Sequence, residues 1–208
     1  MDLFKTIKNF RVLIFIFGFL FFGFHFGLYA SDLSKQIIEA KSAGDLNVAF
    51  TQVKELYFKD NKYGELVEFL KSLSVQKKTL EPFTDYYIAL SRYSQLKYLE
   101  ETQNWDEYFA KGNTYRDEIT TFAQKVVDET SVSSPLRLYS RLILWQFHKG
   151  QEDALSENAL LNLMQGALEY SKEALDLTPI KKAADTLSAY GEKAKSKELY
   201  KVYMDRLV

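Results

Sequence analysis

The chain has 208 residues, of which 27 are basic and 28 are acidic, and it contains no cysteine. The lack of cysteine excludes disulfide bonds and lipid attachment through a cysteine, so packed apolar surface has to stabilise the fold. A formal net charge of −1 from evenly mixed charges provides no electrostatic footprint for nucleic acid or for an anionic membrane surface.

The amino-terminal segment predicts export. Lys5, Lys8 and Arg11 precede an uncharged, phenylalanine-rich run over residues 12–30. This order is typical of a secretory signal peptide, and the small residue Ala30 suits a cleavage site, so we predict a signal peptide in the first thirty residues. The alternative is an uncleaved membrane anchor, because the run is long enough to cross a bilayer. In both cases the basic residues stay in the cytoplasm and the remainder is periplasmic or secreted.

The remainder, residues 31–208, is predicted to form a single all-α domain. Apolar residues recur at helical spacing, and no alternating strand pattern stands out. Ser134-Pro135 and Thr178-Pro179 each place a capping hydroxyl before a proline that suits a first helical turn, and Gly150 and Gly191 suit helix ends. The pattern predicts antiparallel helices joined by short turns, over residues 33–43, 46–59, 63–73, 82–102, 105–128, 135–148, 156–177, 179–190 and 192–207.

The last helix pair resembles the tetratricopeptide repeat, a helix-turn-helix unit of about 34 residues. On that spacing Ala184 and Ser196 take the small positions that allow close helix crossing, and Tyr200 takes the position of a large aromatic residue. The other matched positions are Ile180, Ala183, Leu187 and Val208, and a weaker frame uses Phe50, Val53, Lys54, Tyr57, Leu66 and Leu70. The resemblance implies degenerate repeats stacked as a short α-solenoid, whose ligands are proteins or peptides.

Two surfaces are candidates for binding. Arg137, Arg141 and His148 share one stripe of the helix over residues 135–148, opposite its apolar residues. Together with residues of the helix over 82–102, they predict a mildly basic groove. Its lining would be Tyr87, Arg92, Tyr98, Arg137 and Arg141. Tyrosine rings buried between neighbouring helices and a solvated basic stripe remain the alternative interpretations.

The last predicted helix is the second candidate surface. Its apolar residues are Leu199, Val202, Tyr203 and Leu207. Terminal repeats normally need a polar outer face, so we predict that this end docks on a partner or on a second copy of the chain. A homo-oligomer formed through this helix is therefore one expectation.

The sequence contains no pattern that indicates a catalytic, cofactor-binding or metal-binding centre. His148 is the only histidine outside the export segment, and it suits the carbonyl end of a helix. The segment that begins at Gly191 lacks the second glycine of a phosphate-binding loop. Adjacent acidic residues such as Glu100-Glu101 point in different directions on a helix.

We therefore predict an exported, non-catalytic module that binds or scaffolds a protein or peptide partner. We expect it to bind no nucleic acid and to contact the membrane only through its amino-terminal segment. One alternative is an enzyme that acts on an extracytoplasmic glycan with carboxylates gathered from several helices. The other is a membrane-anchored structural oligomer.

Overall fold

The computed structural model describes residues 32–149, 151 and 153–207, and all regular structure in these residues is helical. The prediction of an all-α class is confirmed for this part of the chain. The predicted signal peptide or anchor over residues 1–30 lies outside it, as do Gly150 and Val208. The helices are α1 (32–39), α2 (Ala43–Lys59), α3 (Tyr63–Gln76), α4 (Glu81–Glu101), α5 (Trp105–Glu129), α6 (Pro135–His148), α7 (Asp153–Glu173), α8 (Thr178–Ala189) and α9 (Lys193–Asp205), with one 3₁₀ turn at Lys78–Leu80.

None of the helices in the described ranges combines the length and the apolar character that a membrane crossing requires.

The predicted break at Gly44-Asp45 is wrong because Ser42 starts a helix there. The Ser42 hydroxyl accepts a hydrogen bond from the Asp45 N–H at 3.1 Å, and the Asp45 carboxylate accepts one from the Ser42 N–H at 3.2 Å. This reciprocal capping box begins α2 at Ala43 and places Gly44 inside its first turn.

The expected hydroxyl caps before the two prolines also differ from the structure. Ser134 stands at the N-cap of α6, but its side chain makes no capping hydrogen bond. At α8 the N-cap residue is Leu177, and Thr178 is already the first helical residue. The Asp176 carboxylate accepts a hydrogen bond from the Thr178 N–H at 2.9 Å.

Three helix ends share one turn geometry, at the positions where the sequence predicts turns. Asn61, Gln103 and Gly191 have positive φ angles of 56°, 55° and 87°. At each, the N–H of the following residue donates to a carbonyl five residues back at 2.9 Å. This Schellman geometry satisfies the last carbonyls of α2, α4 and α8 and reverses the direction of the chain.

Contacts divide the chain into two units within α2, between Val53 and Lys54. In the first unit, Leu33 and Ile37 on α1 and Phe50 and Val53 on α2 are buried. In the second unit, α4 packs against α3, α5 and α6. In the same unit α6 also packs against α5, α7 and α8, and α9 packs against α7 and α8.

The core formed by helices α6 to α9 is apolar, and α8 and α9 pack closely where they cross. Trp145, Tyr170 and Leu199 are among its buried residues. Where α8 and α9 cross, the Ser196 hydroxyl donates to the Ala184 carbonyl at 2.8 Å. Both residues are small, so the α8 and α9 backbones approach closely at this crossing.

Candidate functional site

An open cleft of about 380 Å³ has α6 at its base and α5 and α7 as its walls. We call it the α6 cleft. Its polar lining is Thr120, Gln124, Asp128, Arg137, Arg141, His148, Asn158 and Asn162. Arg137, Arg141 and His148 share this lining because residues four and seven apart fall on one side of a helix. The basic stripe that the sequence predicts therefore faces a cleft.

The two arginines at the base are held by backbone carbonyls of the walls. Arg137 Nη1 donates to the Thr130 carbonyl and Arg141 Nη1 donates to the Asn162 carbonyl, both at 2.8 Å. Arg141 Nη1 also lies 3.8 Å from a carboxylate oxygen of Glu169. Burial lowers the pKa of Arg141, and Glu169 opposes that shift. The guanidinium stays charged because its ordinary pKa lies far above neutral pH.

Donors of both arginines are left over. The Nε atoms of Arg137 and Arg141 are buried and have no hydrogen-bond partner within the described chain. A buried donor without a partner costs about 1–3 kcal/mol, so these two atoms lower the stability of the fold.

Gly166 gives Arg141 its place. A Cβ atom at Gly166 would lie 2.3 Å from Arg141 Nη1 and 2.7 Å from Arg141 Cδ. A glycine in the middle of a helix costs about 1 kcal/mol relative to alanine. The glycine is explained here because the Arg141 side chain lies across α7 where any larger residue would place its Cβ atom. The sequence analysis missed this residue, although an isolated glycine inside a helical pattern is a signal for a packing contact.

Arg92 does not line the α6 cleft, in contrast to the prediction that it lines the basic groove. It is 7% exposed, its Nη1 donates to Gln95 Oε1 at 2.7 Å, and its guanidinium lies 4.4 Å from the centre of the Tyr115 ring. Its Nε donates to the Glu118 carboxylate. Charge pairing with an acid that follows 26 residues later keeps Arg92 in the interior.

Glu118 is the acid that pairs with the buried Arg92. Burial alone would raise the pKa of Glu118, but hydrogen bonds from Lys71 at 2.8 Å and from Arg92 lower it overall. The three side chains join α3, α4 and α5 in one charged cluster.

The two predicted groove tyrosines are also placed elsewhere. Tyr87 is 8% exposed and its ring centre lies 4.9 Å from that of Tyr86. Tyr98 is half-buried, and its ring centre lies 5.9 Å from that of Tyr63. Neither lines the α6 cleft, so of the five predicted groove residues the structure brings together Arg137 and Arg141 alone.

A second open cleft, of about 780 Å³, lies between α4, the first half of α5 and the end of α6. We call it the α4 cleft. Its residues include Tyr93, Lys97, Glu100, Tyr108, Arg116, Phe147, Lys149 and Tyr190. The hydroxyl oxygens of Tyr93 and Tyr190 are 3.2 Å apart, and Gln146 donates to Tyr190 at 3.3 Å. Burial alone would raise the pKa of Tyr190, whereas Tyr93, Gln146 and Lys97 lower it overall.

Exposed aromatic residues border the α4 cleft at the start of α5. Trp105 and Phe109 are 46% and 78% exposed, and their ring centres lie 5.7 and 5.6 Å from that of Tyr108. Arg116 donates to the Tyr108 hydroxyl, and its guanidinium lies 4.8 Å from that ring. We call Trp105, Tyr108 and Phe109 the aromatic patch. The sequence analysis missed it, although three rings within five residues at a polar helix start were visible.

The predicted docking end on α9 is corrected in part. Leu199 is fully buried, and Val202 and Tyr203 pack partly buried against the same core. These three residues hold α9 in the fold and do not form a free surface. Leu207 differs, since it is 59% exposed.

Few groups with catalytic chemistry line the clefts. Asp128 is the carboxylate of the α6 cleft and Glu100 that of the α4 cleft, where Glu100 accepts a hydrogen bond from Tyr108 at 3.0 Å. His148 Nδ1 lies 3.4 Å from Gln151 Oε1. In residues 32–149, 151 and 153–207, no three His, Cys, Asp or Glu side chains gather closely enough to hold a metal ion.

No protein-family model, curated protein or solved structure matches this chain.

Proposed function

We propose that the protein is an exported, non-catalytic helical module that binds a segment of a partner protein in the α6 cleft. The observation that carries this proposal is the position of Arg137 and Arg141 at the base of the cleft. Backbone carbonyls of both walls fix their guanidinium groups. A site whose charges are already held in place loses little entropy on binding, which favours an acidic ligand.

The proposal includes degenerate tetratricopeptide-like repeats as the scaffold. The small-residue crossing of Ser196 over Ala184 and the shared turn geometry support it. The repeats would be longer than usual, because the left-handed residues Asn61 and Gln103 are 42 positions apart (103 minus 61) and the repeat has about 34. In stacked repeats, successive helix pairs leave continuous surfaces for extended ligands.

In this proposal, residues 1–30 act as the signal that directs the protein out of the cytoplasm. The partner is then periplasmic or extracellular, and the chain contacts the membrane only through its amino-terminal segment. Nucleic acid is not among the proposed ligands, because the net charge of −1 provides no attraction for it. Self-association would use the exposed end of α9 near Leu207.

Photo-crosslinking in the native cells tests the proposal. A photoreactive residue at Gln124, exposed in the wall of the α6 cleft, should form a covalent adduct with a protein partner. The same residue at Lys197, exposed on α9 outside both clefts, is the matched control. Arg137→Glu should abolish the adduct at Gln124, and Arg137→Lys should retain it because the charge is kept.

Equal adducts at both positions, or adducts with glycan or lipid alone, would contradict the proposed function. Far-UV circular dichroism of the two Arg137 variants checks that the loss of the adduct does not reflect unfolding.

A further inference from the structure

We infer that the exposed face of α7 binds the same face of a second copy of the chain, with the two helices antiparallel. Leucines of the two copies meet near the centre of this interface. At each end, an acidic residue of one copy meets a basic residue of the other. Pairing through α7 goes beyond the proposed function, in which self-association uses the exposed end of α9.

Leucines lie along the exposed face of α7. Leu161 and Leu168 are 54% and 46% exposed. They are seven residues apart, and seven steps of about 100° fall about 20° short of two full turns, so both lie on one line along the helix. A third, Leu175, follows seven residues later in the link after α7 and is 100% exposed. Single exposed leucines are common on protein surfaces, whereas several in a row indicate an interaction site.

The opposite face of α7 is already used by the fold. Leu163, Ala167 and Tyr170 are buried in the core formed by α6 to α9. A rotation of α7 that buried the exposed leucines would bring these core residues to the surface. The leucines therefore stay on the surface of the described chain.

Charged residues flank the leucines at equal distances. Glu157 precedes Leu161 by four residues, and Lys172 follows Leu168 by four. Both charged residues are exposed, and neither forms an ion pair within the residues that the structure describes. They are fifteen residues apart, which is about 60° beyond four full turns, so they border the same face as the leucines.

The order of these four residues is self-complementary when two copies of α7 run antiparallel. Leu161 and Leu168 lie 3.5 positions on either side of the midpoint of residues 164–165. Glu157 and Lys172 lie 7.5 positions on either side of the same midpoint. A two-fold axis at that point pairs each position with the one at the same distance on the other side. It therefore places each leucine against the other leucine of the second copy, and each charge against the opposite charge.

A parallel pair lacks this complementarity. In a parallel two-fold pair each residue faces its own counterpart, so Glu157 would face an acid and Lys172 would face a base. Like charges placed opposite each other disfavour an interface. The charge order thus selects a second copy of the chain as the occupant of this face, and it selects the antiparallel orientation.

The α6 cleft remains open in this dimer. The exposed α7 residues that line it are Leu155, Asn158 and Asn162. They lie about 60–120° around the helix from Leu161, to one side of the paired face. A dimer therefore presents two α6 clefts, one from each copy, beside the α7 interface.

Sedimentation velocity of the mature chain over a range of concentrations tests the pairing. The wild type should form a dimer that dissociates on dilution. Leu168→Lys should weaken the dimer by roughly thirtyfold or more, because two-fold symmetry repeats the change at two contacts. Leu207→Lys alters a similarly exposed leucine at the end of α9 and should leave the dissociation constant unchanged. Far-UV circular dichroism checks that both variants are folded.

Charge reversals test the antiparallel order. Glu157→Lys makes both ends of the face basic, and Lys172→Glu makes both ends acidic. Each variant alone should dimerise roughly tenfold more weakly than the wild type, and an equimolar mixture of the two should form a heterodimer of about wild-type affinity. Lys197→Glu, on the exposed surface of α9, is the matched charge control and should have no effect.

A single cysteine reports the contact directly, because the chain contains none of its own. Gln165 is exposed and lies half a position from the proposed two-fold axis. Residues at the axis meet their own counterparts, and a disulfide requires Cα atoms less than about 7 Å apart. Gln165→Cys should therefore form a disulfide-linked dimer under mild oxidation, and Lys197→Cys should not.

A photoreactive residue at Gln165 in the native cells identifies the occupant of the face. An adduct with twice the mass of the chain supports the dimer, whereas an adduct with a different protein alone would overturn it.

The contrary results in solution are equally distinct. A wild type that stays monomeric at every concentration would overturn the inference. Loss of the dimer in Leu207→Lys but not in Leu168→Lys would also overturn it and would place self-association at the end of α9. If mixing the two charge variants restores nothing, the antiparallel order is wrong. The adduct of a partner at Gln124 in the α6 cleft is independent of α7 pairing, so its absence would count against the proposed function alone.

Discussion

Gly166→Ala tests whether the arginine at the base of the α6 cleft is held as the structure indicates. In an ordinary helix interior this substitution stabilises by about 1 kcal/mol, because alanine has the higher helix propensity. Here the new methyl group would lie 2.3 Å from Arg141 Nη1 and 2.7 Å from Arg141 Cδ. The side chain must therefore leave its place over α7.

The displacement has a cost that exceeds the gain in propensity. Arg141 would lose its 2.8 Å hydrogen bond to the Asn162 carbonyl. A hydrogen bond to a charged group contributes about 1.5–3 kcal/mol. Subtracting the gain of about 1 kcal/mol leaves a net destabilisation of about 0.5–2 kcal/mol. At this chain length, each kcal/mol lowers Tm by about 2–4 °C.

A double-mutant cycle separates the two contributions. In an Arg141→Ala background the three atoms nearest to the methyl group, Nη1, Cδ and Cζ of Arg141, are absent, so Gly166→Ala should stabilise by about 1 kcal/mol. The sign of its effect therefore reverses between the two backgrounds, with an interaction energy of about 1.5–3 kcal/mol. Urea unfolding followed by circular dichroism measures all four free energies. Stabilisation by Gly166→Ala in both backgrounds would refute the contact.

Three further predictions concern the interior and the two ends of the chain. Glu118→Gln should destabilise by about 2 kcal/mol, because Arg92 then remains buried beside a neutral group. The lowered pKa of Glu118 adds stability that is present above the unfolded pKa of about 4.3 and is lost as the pH falls below that value. In urea unfolding at a series of pH values, the wild type should therefore lose more stability between pH 5 and pH 3 than the Glu118→Gln variant does. Leu199→Ala should cost about 2–5 kcal/mol in thermal unfolding, and Leu207→Ala less than about 0.5 kcal/mol, since one residue is buried and the other exposed. If the proposed signal peptide is cleaved, amino-terminal sequencing of the protein from its native cells should begin at Ser31, whereas an intact amino terminus would indicate the membrane anchor.

The helices were predictable because their signals are local. Apolar periodicity, prolines and turn residues place α6 at residues 135–148 in both the prediction and the structure. The turns at Asn61, Gln103 and Gly191 follow from residues that tolerate a positive φ or end a helical pattern. The break at Gly44 was wrong because the capping pair of Ser42 and Asp45 outweighs the preference of glycine for helix ends.

The shared face of Arg137, Arg141 and His148 was also determined by the sequence alone, since 3.6 residues per turn place these positions together on any helix. Only the tertiary structure decided what that face meets. It places α5 and α7 on either side of the basic stripe and pairs Arg92 with Glu118 in the interior. It also places the Arg141 side chain against the backbone of Gly166. The physical reason is that periodicity defines the faces of each helix, whereas the packing of residues distant in the chain selects which faces come together.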